Sequence, residues 1–566
     1  MLLLALYIYF FVFLYLICKK NVIIMKKVLV LIFTFGSITL NAQNFGNFSG
    51  SFQLESQTYK SDSVMEAKKV PEQLQSQGFF NLNYSNGGLT AGIRYEYYLN
   101  PLQGIETNYK GQGIANRFIS YSTDFIDITV GNFYEQFGSG IIFRTYEEKA
   151  LGIDNSMDGA RFRVRPINGI DITGIWGTQR NYWSQGEGIV RGGDVNFSLN
   201  ELLDKYGTNL TAGGSVISVF QADRNISLKM PENVLAWSGR AALLSENYSV
   251  DAEYSYKYNN PNISNSYTYN NGYGIVLNGS YFTDGFSTTL NLHKIDNMDF
   301  RSDRNAVKSE LLLNYIPPIT KQHSYRLTNM YPYSTQINGE AGLQAEINYM
   351  IPKGKLGGKY GTDIALNYSR VHSIDSTPIN EYKYESPFFG IGNKLYFQDI
   401  NISLDRKFYN DLKGHLSVYN IIYDRDRIEN SGVPNSGKVY SNIICLYGIY
   451  KLTQKHAIKL ELQHQWAEQD STVTSHDIIN GNWLGILVEL TISPGWYITI
   501  YDDFNYGNAN EEKQIHYFNG NVAYTKGSTR LSLGYGRQRA GILCVGGVCR
   551  QVPASNGLYL SINTTF

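Results

Sequence analysis

The chain has 566 residues, of which 17% are charged, 14% are aromatic, 45 are Tyr and 54 are Gly, and its mean hydropathy is -0.27. Lys+Arg 49 against Asp+Glu 49 leaves no net charge, which removes the electrostatic case for a nucleic-acid partner. Soluble domains carry about 25% charged residues; a chain poor in charge yet not hydrophobic on average, and rich in Tyr, suits strands with one lipid face, one polar face and aromatic girdles.

Residues 1–24 form an apolar run ending near Lys19-Lys20, just long enough to be read as a hydrophobic segment, but Met25 opens a complete secretory signal by itself. Residues 1–24 are therefore expected to be an over-extended start, residues 25–42 a signal peptide cut between Ala42 and Gln43, and residues 43–566 the mature protein.

Beyond Gln43 the sequence alternates with period two. Phe48, Phe52 and Leu54 face away from Ser49, Ser51, Gln53 and Glu55, and after an Asn86-Gly87-Gly88 turn, Leu89, Ile93, Tyr95 and Tyr97 face away from Thr90, Arg94 and Glu96. The clearest segment sets Tyr248, Val250, Ala252, Tyr254, Tyr256 and Tyr258 against Ser249, Asp251, Glu253, Ser255 and Lys257. Short turns recur at Asp124, Asn168-Gly169, Glu246-Asn247, Asp284-Gly285, Pro494-Gly495 and Gly527-Ser528, separated by longer polar loops such as the Asn-rich residues 259–272 and the charged residues 296–307. Leu199, Leu202, Leu203 and Tyr206 lie at helical spacing in one short connection.

The last strand places Leu558, Leu560, Ile562, Thr564 and Phe566 on one face and ends on that aromatic residue, like the terminal signal of outer-membrane barrels, where the final strand must pair with the first so that no sheet edge faces lipid. The predicted fold is all-β: a transmembrane antiparallel up-and-down barrel of about 26 strands (22–26), with short periplasmic turns and long extracellular loops. That tally counts residues 309–315 and 321–331 as crossings, the second of them to keep the final strand ending in the periplasm.

Chemistry-bearing residues are sparse. Cys544 and Cys549 stand close together in the connection before the last strand, where an oxidising compartment favours a disulfide, and no neighbouring Cys or His completes a metal set. The eight His show neither paired metal spacing nor a catalytic motif, so no catalytic, cofactor or metal residue is assigned and the protein is expected not to be an enzyme. Alternation turns Arg161, Arg163, Arg165, Arg94, Glu96, Asp251 and Glu253 inward; charges of both signs suit pairing against an inward-folded loop better than an anion pore. The candidate plug is residues 135–158, with Gly138 and Gly140 for a sharp turn and Glu135, Glu147, Glu148 and Asp154 expected to face Arg161, Arg163 and Arg165.

Two stretches carry a resemblance: Gly131-Asn132-Phe133-Tyr134-Glu135-Gln136-Phe137-Gly138-Ser139-Gly140, continued by Arg144-Thr145-Tyr146-Glu147-Glu148, and Tyr315-Ile316-Pro317-Pro318 through Tyr331-Pro332-Tyr333 to Leu356-Gly357-Gly358-Lys359-Tyr360-Gly361-Thr362. With Cys544-Val545-Gly546-Gly547-Val548-Cys549-Arg550 they make the mature chain similar to a family of uncharacterised outer-membrane barrels of the Bacteroidota. The resemblance implies a fold and an outer-membrane location but no settled activity, and association with outer-membrane assembly machinery is the one role it suggests.

The expected function is a non-catalytic structural or accessory barrel of an envelope or outer-membrane biogenesis complex, with a porin-like diffusion channel as the alternative and a surface hydrolase as the remote one. The expected partners are outer-membrane lipid, the barrel-assembly machinery during insertion, and envelope proteins, with no nucleic acid and no cofactor.

Overall fold

Strand alternation closes the sheet on itself. The final strand, Ser555–Thr565, pairs on one side with Thr529–Gln538, Leu560 opposite Leu533, and on the other with the first strand, Asn47–Thr58, Ile562 opposite Leu54. The resulting sheet has 24 strands, antiparallel throughout and each paired with its sequence neighbours in the barrel. This computed structural model describes residues 46–203, 207–429, 436–470 and 480–566, and Phe48–Phe566 form one unit. The expected hydrophobic segment at 1–24, the signal at 25–42 and the cut between Ala42 and Gln43 lie outside the described residues.

Burial is inverted relative to a soluble protein. Outward-facing Ile119, Val130, Trp176, Leu290, Ile347, Leu446, Ile500 and Leu533 are exposed, while inward-facing Asn367, Ser369, Asp399, Ser417 and Gln463 are buried. Apolar residues turned out and polar residues turned in are what a strand needs when hydrocarbon surrounds it. Tyr121, Tyr281, Tyr349, Tyr450 and Trp496 stand near the short-turn ends and Trp237, Tyr440 and Trp466 near the other, where amphipathic rings suit the two interfaces. The outward pair Arg117–Asp158, 3.2 Å apart, joins the middle of Gly111–Ser122 to the outer end of Met157–Val164.

The short turns expected from sequence all fall at the end where the carboxyl terminus lies, the periplasmic end by barrel convention. The expected helix of residues 199–206 is the four-residue Leu199–Leu202, and Tyr206 lies outside the described residues.

Two expected crossings are absent: residues 309–315 and 321–331 form no barrel strand, and Phe286–Asp296 instead pairs directly with Gly339–Ile351. Losing both keeps the count even, which is why 24 strands stand where about 26 were expected and the final strand still ends in the periplasm. The stretch between those two strands, residues 297–338, folds into the lumen.

The seam is sterically tight. Gly50 and Phe566 exchange backbone hydrogen bonds at 2.8 and 3.0 Å, and a Cβ on Gly50 would come within 2.6 Å of the Phe566 ring and 2.7 Å of the Asn81 carbonyl oxygen. Gly50→Val is therefore expected to prevent closure, seen as loss of the heat-modifiable folded band in gel electrophoresis, whereas Gly239→Ala, with open space around its Cβ, should leave that band unchanged.

Candidate functional site

The candidate site is the lumen, because that is where the polar side chains converge. Residues 297–338 enter beside the wall and leave at the same place: Asn297 N–H donates to the Asn338 carbonyl at 3.3 Å and Met298 N–H to Ile337 at 2.9 Å. Between those staples lie two arms with separate apolar cores.

The first arm packs Met298, Phe300, Leu313 and Ile316 against Phe137, Ile141, Ile142 and Phe143 of the 134–156 loop and against inward wall residues such as Ile217 and Val276. Backbone pairing locks the two segments together, Arg144 N–H to Leu313 O at 2.8 Å and Tyr315 N–H to Gly140 O at 2.9 Å. Asn314 donates to both sides, to Ile141 O at 3.0 Å and Met298 O at 2.6 Å.

The second arm buries Ile319, Leu327, Met330, Tyr331 and Tyr333 against Tyr419, Tyr423, Ile443, Cys445 and Trp483 of the opposite wall. Polar bonds tie it to successive strands: Lys321 to Glu346 at 2.8 Å, His323 to Asp399 at 2.8 Å, Arg326 to Asp503 at 3.0 Å and Glu461 at 3.4 Å, and the Leu327 N–H to Gln463 at 2.9 Å. The arm is thus held at intervals round the wall, which positions it across the bore.

The 135–158 loop folds inward, and of its acids only Glu135 pairs with the expected arginines. Glu135 meets Arg161 at 3.4 Å and Arg163 at 3.7 Å, while Arg165 turns to Asp171 at 2.9 Å and takes no part. Glu147 pairs with Arg94 at 2.9 Å, Asp154 pairs with Arg94 and with Arg180 at 2.5 Å, and Glu96 joins Arg94 and Arg180, both at 2.7 Å. Glu148 accepts from the Ala150 N–H at 3.0 Å. Arg180 was not singled out from sequence, because the irregular pairing near Gln179 breaks the count that alternation relies on.

Glycine is required at the turn. Gly138 adopts φ +55°, and a Cβ there would lie 2.6 Å from the Glu253 carboxylate, which accepts the Ser139 N–H at 2.8 Å. Gly140, at φ +98°, completes the bend. Asp251 sits nearer the periplasmic mouth, where Asn278 donates to it at 2.8 Å.

Cys544 and Cys549 form a disulfide across the hairpin Gly541–Val545 and Val548–Val552. The hairpin leans on the inward arms: Gln322 donates to Cys544 O at 2.9 Å, Tyr315 to Gly546 O at 2.7 Å and the Thr335 N–H to Gly547 O at 3.0 Å. It is a brace over the filled lumen.

The carboxylates of Glu96, Glu147 and Asp154 lie within 4.8 Å of one another, but Arg94 and Arg180 already supply the positive charge a cation would bring. His293, His323, His415 and His516 each meet one carboxylate, and among the described residues no Ser or Cys side chain hydrogen-bonds a His.

Burial alone would raise the Asp154 pKa, yet Arg94 and Arg180 beside it hold it below its ordinary value. A depressed carboxyl contributes stability that is present above its unfolded pKa of about 4 and is lost as pH falls through the folded value. Protease protection of the 134–156 loop should accordingly hold from pH 7 down to about 4 and fail only below it; loss already at pH 6 would contradict this pairing.

Among solved structures the chain is similar to the siderophore receptor PirA of Pseudomonas aeruginosa (9% identity, TM-score 0.40, 93% of this chain and 81% of that one). It is also similar to the outer membrane transporter YddB of Escherichia coli (9%, TM-score 0.39, 92% and 81%) and to an E. coli P pilus tip assembly intermediate containing PapC (9%, TM-score 0.45, 94% and 62%). No curated protein matches the sequence. The model of a family of unknown function, DUF6029, matches residues 20–566, and the chain belongs to that family.

Proposed function

We propose that this protein is a closed, non-catalytic barrel of a Gram-negative outer membrane that serves as a structural or accessory component of an envelope assembly and works through partners at its rims. The observation that carries this reading is the lumen filled by two apolar cores and by ion pairs to strands all round the wall. A diffusion pore needs water along its bore, and here Leu327, Phe300 and Ile141 are fully buried where that water would run. Membrane lipid around the wall and the barrel-assembly machinery during insertion are the partners such a barrel requires; nucleic acid is not among them.

The test is electrical and compositional. Intact protein in planar bilayers should give no stable conductance steps, and the protein extracted by gentle solubilisation should carry a stoichiometric companion. Steady conductance together with solute-dependent swelling of proteoliposomes would replace this reading with the porin.

A further inference from the structure

The periplasmic rim is divided by charge. Taken in chain order, the turns between Ser122 and Phe286 present Asp124, Asp171, Glu201, Glu246 and Asp284, and Arg165 among them is paired with Asp171 at 2.9 Å. The following turns reverse the sign: Lys353, Lys355, Lys359, Lys407, Lys451 and Lys455, with Asp363, Asp405 and Asp411 set among them. Neighbouring arcs of one ring therefore carry opposite charge.

The basic arc also has a built prominence. Residues 352–361 make a longer connection than the tight periplasmic turns, and Gly354 and Gly358 exchange two backbone hydrogen bonds across it at 3.0 and 2.9 Å. Tyr360 donates to Asn410 of the next turn at 2.7 Å, and the Lys407 ammonium lies 4.4 Å from the Tyr360 ring centre. This knuckle holds Leu356 at its tip, 79% exposed, ringed by Lys353, Lys355 and Lys359.

We propose that this rim docks a periplasmic protein presenting a basic patch beside an acidic patch, with an apolar hollow for Leu356. Anionic lipid headgroups would gather at the lysines but would be repelled by the acidic arc at the same level, so a lipid surface accounts for only half of the pattern. A protein with both signs matches both halves and is oriented by them, since complementary fields steer encounter and fix register. The inference rests on the reading of the chain as a barrel that works through partners and adds the face and the chemistry.

The test uses the full chain in the outer membrane, with a photo-crosslinking residue at Leu356, at Asn247 in the acidic arc or, as a comparison, at Phe389 on an exposed outer loop. Leu356 and Asn247 should crosslink to one and the same protein carrying both charges. The triple variant Lys353→Glu, Lys355→Glu, Lys359→Glu should cut the yield about tenfold, as should raised salt, while the heat-modifiable folded band persists. Crosslinking from Phe389 alone would overturn this surface and leave the partner reading standing; no protein crosslink at any position would overturn both. Binding of the purified barrel to phosphatidylglycerol vesicles but not phosphatidylcholine vesicles, lost in the triple variant and without a protein crosslink, would assign the arc to lipid instead.

Discussion

Replacing residues 298–337 by a short Gly/Ser bridge is expected to turn a silent barrel into a wide conducting pore. The bridge is short because the two ends already meet, Asn297 N–H reaching Asn338 O at 3.3 Å. The flanking strands Phe286–Asp296 and Gly339–Ile351 remain paired along their length, so excision leaves the ring of strands intact. What is lost is the filling: both arms leave, and the 134–156 loop loses its backbone partners at Leu313 and Tyr315. Single-channel conductance should rise by on the order of tenfold or more over residual leak, since a barrel of this strand number encloses a lumen wide enough for water. Removing only the 134–156 loop should raise it less, because the second arm keeps its bonds to Glu346, Asp399 and Asp503.

Arg180→Ala is expected to destabilise the folded barrel strongly. Arg180 and Glu96 are nearly inaccessible, and Asp154 lies between Arg180 and Arg94. Deleting that guanidinium leaves the buried Glu96 and Asp154 to share Arg94 with Glu147, one positive charge for three carboxylates, and breaking a buried pair in this way typically costs about 3–5 kcal/mol. Pairing it with Glu96→Gln removes one of the stranded charges and should recover much of that loss. Arg165→Ala breaks a pair of which both members are over a third exposed, and should change stability by less than about 1 kcal/mol. Denaturant unfolding midpoints in one detergent order the variants: Arg180→Ala lowest, the double variant between, Arg165→Ala near the parent. Equal midpoints for Arg180→Ala and Arg165→Ala would remove the buried network from the account.

The strands were legible because alternation is a local property. Tyr248, Val250 and Tyr254 declare one face, and the tight turns at Gly87, Asp284 and Gly527 fix the short-turn end. That residues 259–272 and 296–307 turn into the lumen was not legible, because both read as solvated loops. Residues 296–307 read as a charged surface connection, yet Asp299, Arg301 and Arg304 are buried, Arg301 and Asp299 paired at 2.8 Å and Arg304 donating to the Gln221 carbonyl at 3.3 Å. The Asn-rich residues 259–272 do the same: Asn262 and Asn265 cap a single turn of helix and bond inward, Asn265 to Asn297 at 3.0 Å and Asn262 to Asp299 at 3.2 Å. Such side chains are as content with buried amide partners as with water, and sequence alone does not say which they have.

The same ambiguity explains the two crossings that are absent. Residues 309–315 and 321–331 mix apolar and polar residues as a wall strand does, but Leu313, Leu327 and Met330 spend their apolar surface inside, on Phe300, Trp483 and Tyr423, rather than on lipid. Glu135 meets the expected Arg161 and Arg163 while Glu147 and Asp154 meet Arg94 and Arg180, because alternation gives the face a residue points to and leaves the height at which two segments meet undetermined.

The central claim is that the bore is filled by the chain's own second arm, and a thiol placed at Leu327 tests it most directly. The cysteines among the described residues are silent in the folded protein, Cys445 being fully buried and Cys544 bonded to Cys549. In intact cells a small membrane-impermeant maleimide should leave Leu327→Cys unlabelled while fully labelling Ile226→Cys, whose side chain stands clear on an outer loop. Labelling of both at comparable rates would mean that water reaches the middle of the barrel and that the lumen is open.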